Sequence, residues 1–526
     1  MARDFSSGRH AGLLVPLFSI PSQASWGIGE LGDLRRLGPW MQDAGFSFLQ
    51  LLPLNEMASG QHSPYSALSA MAFDPIFISP ADIVDFGDGG AEGALEPADR
   101  DRLAAARASS AIDYTAVRAL KERAFRVAFD RFMHEEWRRG TARASAFQAF
   151  VDCEAWWLRD YGLFRALKSR EEGRSWRDWP AGVRDRGADA LADARAELAD
   201  DILFWTYLQW IAAGQWEEAR AAAGIGVFGD FPFMVSGDSA DVWSRQQDFR
   251  LDASVGAPPD AFSETGQDWG FPAYRWREIA ATGDEWLRAR ARRSADLYDG
   301  YRVDHVVGFF RTYVREPDGS AGFVPAEESD QIAQGARLLA LFAETGTRVT
   351  AEDLGVIPDF VRRTLASFGV AGYKVLRWER EWNEARQPFK EPRAYDPVSV
   401  ATSGTHDTET VAEWWESAPS EERIALCDIE PLRAAGLSPD EPFSARVRDA
   451  FLTVLFGAGS DLLILPIQDV FGWRDRINTP ALVNDANWSW RLPWPVEELR
   501  RQPQSLERAR FLRALAERSG RTGERP

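Results

Sequence analysis

Three carboxylates stand where short apolar runs of the sequence end: Asp304 in YRVDH, Glu352 in RVTAEDL and Asp407 in VATSGTHD. Arg302 lies two residues before Asp304, a spacing that puts both side chains on one face of an extended segment. His305 and His406 adjoin the carboxylates, and they are two of only 5 histidines in the chain. Other polar residues close similar runs: Asp230 and Asp238 after VFGDFPF, Asp353 beside Glu352, and Gln468 and Asp469 after LLILPI. Any one such carboxylate is most often a helix cap or half of a structural ion pair. Three of them, with an arginine and two histidines at one mouth, could instead attack a reacting centre and move a proton there. A metal centre would draw on the same residue types. No HxH or HxxxH spacing occurs, so no metal is expected.

Eight runs could hold these groups in place: Leu13–Leu17, Phe48–Leu54, Val227–Phe233, Tyr301–His305, Arg348–Leu354, Tyr373–Trp378, Val400–Asp407 and Leu462–Asp469. They are largely apolar rather than alternating, which suits parallel strands buried on both faces. Amphipathic stretches such as Pro358–Phe368 lie between several of them. Eight buried strands with helical crossovers are the count of a (β/α)8 TIM barrel, whose active sites sit at the C-terminal strand ends. The expected class is α/β, one catalytic domain over 1–526. Between the second and third runs the chain is too long for a loop, and 84–222 is expected to be an inserted, mostly helical subdomain. Within it, Ala94–Arg139 has no glycine, and Phe125, Phe129 and Phe132 share one helical face. Residues 244–276 are expected to form a lid loop over the site, and 518–526 a disordered tail after a final helix.

Acidic residues outnumber basic ones 80 to 61, a net charge of −19. A partner held by its phosphates would want the opposite sign, so neither nucleic acid nor a membrane is an expected partner. The two cysteines, Cys153 and Cys427, are too far apart for a CxxC site and suit a reducing cytoplasm. The N-terminus lacks the apolar stretch of a secretory signal, which also points to a cytoplasmic protein. There are 22 tryptophans beside 32 phenylalanines and 10 tyrosines. Most must fill the core, but indoles also serve as flat platforms with a polar edge, on which sugar faces stack well.

The segments SPYS (63–66), GDFPFMVSGDSADVW (229–243), GAPPDAFSETGQDWG (256–270), YRVDH (301–305), AEDLG (351–355) and SGTHDTET (403–410) resemble those of the amylomaltases. These are the 4-α-glucanotransferases, or disproportionating enzymes, of the α-amylase clan. The resemblance extends over most of the chain, from about residue 9 to 492, in the family's order. It implies a (β/α)8 barrel with insertions and no C-terminal β-sandwich. It further implies transfer of α-1,4-glucan segments between maltooligosaccharides, or to glucose, by a retaining double displacement that needs no cofactor. Carried over residue by residue, it makes Asp304 the nucleophile, Glu352 the general acid/base and Asp407 the third, transition-state-stabilising carboxylate. Tyr65 would stack on the sugar that becomes covalently attached, with His305 and His406 bonding its hydroxyls. Ser63, Asp230, Gln267, Trp269, Arg302 and Asn478 complete the implied substrate contacts. The sequence departs from the family at Ala261, where some members carry a bulkier aromatic residue, and at 479–484, which lacks an expected glycine. An α-amylase-type hydrolase with the same three carboxylates is the alternative reading, and a non-catalytic glycan-binding barrel is the rival from another class.

Overall fold

The strand ends predicted to carry chemistry all belong to one closed sheet. In the computed structural model, which describes residues 5, 7–58, 60–259, 266–480, 482 and 484–522, twelve strands occur. They are β1 His10–Leu14, β2 Phe48–Gln50, β3 Gly226–Phe231, β4 Phe249–Ala257, β5 Gln267–Tyr274, β6 Gly300–Val303, β7 Thr312–Arg315, β8 Ala321–Val324, β9 Arg348–Ala351, β10 Ala371–Val375, β11 Ser399–Thr402 and β12 Leu462–Pro466. Eight of them close a parallel barrel in the order β1-β12-β11-β10-β9-β6-β3-β2, with β2 returning to β1. The protein is thus an α/β TIM barrel, and each of the eight apolar runs contains or overlaps a barrel strand. Several runs extend past their strands at the C-terminal end. The polar residues there leave the ladder to face the mouth, so Asp304 is the first residue beyond β6 and Glu352 the first beyond β9. The first strand ends earlier than expected, at Leu14, because Pro16 has no N–H to offer the ladder.

Register then sets neighbours. Phe231 pairs with Val303 and Val303 with Ala351, so the residues just past these three strands lie side by side. Asp304 N–H donates to Phe231 O at 3.0 Å and Glu352 N–H to Val303 O at 2.9 Å, extending the ladder to the two carboxylates. Inside the barrel the side chains interlock tightly. A Cβ on Gly12 would stand 2.3 Å from the ring of Phe48, its register partner on β2, so only glycine fits there.

Between β2 and β3 the chain forms helices Pro97–Ala108, Tyr114–Glu135, Ala142–Cys153, Ala155–Arg170, Ala188–Glu197 and Ala199–Ala223. Phe125, Phe129 and Phe132 are buried on one face, and the last two meet the ring of Tyr207 from the last of these helices. That helix ends at left-handed Gly224 (φ 69°) and leads straight into β3, so it serves as the barrel's crossover. It lies so close to helix Leu34–Asp43 that a Cβ on Gly38 would come within 1.9 Å of the Ala223 carbonyl oxygen. No helix among the described residues is long and apolar enough to cross a membrane.

Two expectations need correction. Among its described residues the segment 244–276 is largely strand, not loop: β4 and β5 pair antiparallel and join β7 and β8 in a four-stranded sheet, order β5-β4-β7-β8. Ala261 lies outside the described residues. The end of the chain is ordered further than expected. After helix Pro503–Arg518, Arg521 is fully buried and donates to the carbonyls of Phe456 (3.0 Å), Ala458 (2.7 Å) and Ser460 (2.7 Å). Those carbonyls lead into β12, and one guanidinium satisfies several that the barrel floor would otherwise bury unpaired. Residues 523–526 lie outside the described residues.

Candidate active site

Arg302 organises the mouth. It sits in β6 directly across from Asp230 on β3 and is only 5% exposed. Nη1 donates to Asp230 Oδ2 at 2.6 Å, and Nη2 donates to Asp304 Oδ1 at 2.8 Å while standing 3.8 Å from Glu352 Oε2. Burial alone would favour losing its proton, but Asp230 and Asp304 outweigh that and hold the group well above its ordinary value. Tyr65, from the loop after β2, donates its hydroxyl to the same Asp230 oxygen at 2.7 Å. Burial pushes Asp230 up to about 6 against the opposing pull of Arg302. A planar fork that grips two carboxylates at once cannot be copied by an ammonium. Arg302→Lys should therefore keep the fold, within a few degrees of the wild-type thermal midpoint, yet lower turnover by roughly a hundredfold through misplacement of Asp304. Parallel measurement of melting and of initial rate checks this, and a rate near wild type would deny Arg302 its positioning role.

Glu352 is oriented by backbone. Its Oε2 accepts from His305 N–H at 2.9 Å and its Oε1 from Leu354 N–H at 3.2 Å. His305 pays for this in strain, with φ at 45° in the left-handed region. Its ring meets Trp269 of β5 edge-on at 4.9 Å, and Trp269 Nε1 donates to Gln267 Oε1 at 3.1 Å. Burial lowers the pKa of His305, leaving a neutral imidazole that can both donate to and accept from a hydroxyl.

Asp407 stands five residues beyond the end of β11 and is the most open of the three, its side chain 43% exposed. Asn478 Nδ2 donates to Oδ1 at 2.6 Å, and His406 Nε2 lies 3.1 Å from Oδ2. Burial resists ionisation here, but His406 and the bond from Asn478 outweigh it and hold Asp407 at about 2. Burial likewise opposes charge on His406, yet Asp407 beside it raises its pKa overall. Tyr65 stacks on His406 (centroids 5.1 Å, 19°), which sets a flat surface beside Asp230 and Arg302. Ser63 supplies the turn that carries Tyr65: its Oγ accepts from Tyr65 N–H at 3.4 Å and its carbonyl from Ser66 N–H at 3.1 Å.

Most of the residues picked out in the sequence thus meet at one strand-end mouth. Three of the carboxylates do not. Asp238 pairs with Lys168 at 2.5 Å and accepts from Trp176 N–H, Asp353 accepts from Tyr373 N–H at 2.8 Å, and Asp469 accepts from Ser403 and Val411. Trp488 escapes the sequence reading, although it closes the mouth beside Tyr65 (6.0 Å) and His406 (5.7 Å). The sequence shows it only as one ring of NWSWR (487–491), and its left-handed backbone (φ 64°), which sets where the ring goes, has no mark there. Among the described residues no group of three or more histidines, cysteines and carboxylates could hold a metal ion.

The arrangement places one arginine-bound carboxylate, one carboxyl held by backbone amides and a third anionic carboxylate around a cleft edged with aromatic rings. The family model for 4-alpha-glucanotransferase matches residues 15–497. The 4-alpha-glucanotransferase of Thermus thermophilus is 33% identical, the match covering 97% of this chain and 98% of that protein. That of Chlamydia pneumoniae is 33% identical over 94% of this chain and 93% of the relative. Among solved structures, the amylomaltase from Streptococcus agalactiae in complex with acarbose aligns with a TM-score of 0.81 at 26% identity, covering 98% of this chain and 99% of that one. With a matching model over nearly its whole length, full-length relatives and a closed barrel of the same shape, the chain belongs to the 4-alpha-glucanotransferase (amylomaltase) family.

Proposed function

We propose that this 4-alpha-glucanotransferase works by a retaining double displacement on α-1,4-linked maltooligosaccharides, with glucose or another chain end as acceptor. The observation that carries the mechanism is the one nitrogen, Arg302 Nη2, that lies 2.8 Å from Asp304 and 3.8 Å from Glu352. Those distances leave room for the roughly 5–5.5 Å between carboxyls that retaining enzymes use, and inverting enzymes need more. Asp304 attacks the anomeric carbon while Glu352 gives its proton to the glycosidic oxygen, so the C–O bond breaks and the reducing-end fragment leaves. Glu352, now anionic, takes the proton of an incoming 4-hydroxyl, whose oxygen displaces Asp304 and restores the α-linkage. Asp407, kept anionic by its neighbours, faces the positive charge that builds on the sugar. Tyr65 offers its stacked ring to the sugar bound to Asp304, and Ser63, Asp230, Gln267, Trp269, Arg302, His305, His406 and Asn478 form its surroundings. A cytoplasmic location belongs to the same proposal, supported by the free thiols Cys153 and Cys427.

Incubation with maltotriose tests the substrate reading: a ladder of longer maltooligosaccharides plus glucose is expected, and uniform shortening of every chain would mean a hydrolase. Transfer must also beat water at about 55 M, which a sugar can do only if bound and oriented, since positioning supplies effective molarities of about 10⁵ M and above. Trp269, edge-on to His305 beside Glu352, is placed to cover a sugar face there and keep solvent off. Trp269→Ala should lower the transfer-to-hydrolysis ratio by about tenfold, read from glucose and reducing ends released in parallel. Equal loss of both activities would make the β4–β5 pair general scaffolding.

A further inference from the structure

A cavity of about 280 Å³ opens where the inserted subdomain meets the barrel, and none of the residues assigned to the catalytic mouth lines it. Four aromatic rings form its wall: Trp156, Trp157 and Tyr161 from helix Ala155–Arg170, and Trp286 from helix Glu285–Leu297. Trp157, Tyr161 and Trp286 are buried, whereas Trp156 is 53% exposed and stands at the surface. Asp241, on the short helix Ala240–Ser244 that follows β3, lines the same cavity and is only 6% exposed.

Neutral donors alone serve the Asp241 carboxylate. Its Oδ2 accepts from Ala70 N–H at 2.7 Å and its Oδ1 from Trp286 Nε1 at 3.3 Å, and among the described residues it makes no ion pair. Comparably buried carboxylates of this chain each hold a cation: Glu30 pairs with Lys121 at 2.7 Å, Glu56 with Arg165 at 3.2 Å, Asp74 with Arg118 at 2.6 Å and Asp85 with Arg143 at 2.8 Å. The arginines whose charge reaches Asp241 are committed elsewhere, Arg290 to Pro232 O at 2.5 Å and Arg245 to Asp248 Oδ2 at 3.3 Å. Asp160, the other carboxylate at the cavity, is taken by Arg186 at 3.1 Å. A buried charge without a counter-charge is expensive to keep, and burial pushes the Asp241 carboxyl above its ordinary value.

A cationic ligand supplies what Asp241 lacks, and indole faces are the walls a cation prefers. Asp241 repels an anion, and a neutral ligand would leave its charge uncompensated. The volume lies just below the roughly 300–1,000 Å³ of drug-sized pockets, which suits a small molecule. We propose that this cavity binds a small organic ammonium ion, its nitrogen on Asp241 and its apolar stem against Trp157 and Trp286. The site stands apart from the maltooligosaccharide reading and does not depend on it.

The test is titration of the full-length protein with n-butylammonium chloride at fixed ionic strength, followed by calorimetry and by indole fluorescence. Saturable binding of one ion per chain is expected, with neutral n-butanol weaker by at least about tenfold. Two variants locate the site. Asp241→Asn removes the charge with little change of shape and should weaken n-butylammonium by at least about tenfold. Ser244→Lys, at a half-buried lining position, supplies a tethered ammonium of its own and should abolish binding. Thermal midpoints confirm that each variant is folded, and Ser244→Lys decides the matter if Asp241→Asn is not. No saturable binding by the wild type, equal binding of n-butanol, or wild-type affinity in either folded variant would overturn the proposal.

Discussion

Asp304→Asn should lower maltotriose disproportionation by roughly four to six orders of magnitude while leaving the fold intact. The substitution keeps the shape of the side chain but removes the electron pair that forms the covalent bond to the sugar. Without that bond the reaction must proceed in one step, and roughly 5–8 kcal/mol of the ~8–23 kcal/mol of barrier lowering that enzymes supply is forfeited. The fold should survive because Arg302 keeps its cross-strand partner Asp230 at 2.6 Å, so the buried guanidinium is not left without a carboxylate. Tyr65 continues to bond the same Asp230 oxygen. Initial rates and the thermal midpoint are to be measured on one preparation. A variant within about tenfold of wild-type activity would sink the assignment of the nucleophile.

Glu352→Gln should separate the two halves of the reaction. The amide cannot donate the proton that a sugar leaving group needs, so turnover of maltotriose should fall by roughly 10²–10⁴-fold. An α-glucosyl fluoride needs no such proton, and its fluoride should still be displaced by Asp304. The second step needs a base to take the proton of the acceptor hydroxyl, and the amide supplies none, so the glucosyl-enzyme should accumulate. One cost is built in: Glu352 accepts from two backbone amides, His305 N–H and Leu354 N–H, and an amide side chain keeps an acceptor for only one of them. Some loss of orientation will therefore slow the first step too, by less than the second. Fluoride release in a single turnover against steady-state rates on maltotriose reads both effects. A uniform loss on both substrates would take the acid/base role away from Glu352.

Much of this site was legible because its residues end strands, and strand ends are announced by apolar runs. Arg302 and Asp304 are two apart in YRVDH, and register then brings Asp230 opposite Arg302 and Glu352 beside Asp304. The same rule separates Glu352 from its neighbour Asp353, which turns to the β10 backbone because adjacent residues of an extended chain face opposite ways. Composition could not tell those two carboxylates apart. Where contacts are remote, local pattern fails. Arg521 is held by the carbonyls of Phe456, Ala458, Ser460 and Asp461, far back in the chain, and a short polar segment after a helix gives no hint of them. The β4–β5 pair was hidden by its own glycines and prolines, which read as loop although the strands pair across the sheet with bulges. Trp488 shows a third kind of failure, since a motif can name a residue without giving the backbone angle that aims its ring.

The most direct test of the account is to trap the covalent intermediate and find where it is attached. Glu352→Gln is incubated with α-glucosyl fluoride, and the intact protein is weighed before and after. Proteolysis at low pH then locates the modified peptide. The account requires one glucosyl group per chain, on the peptide that contains YRVDH, with the label on Asp304. No adduct, or an adduct on Asp230, Asp407 or any other residue, would contradict it.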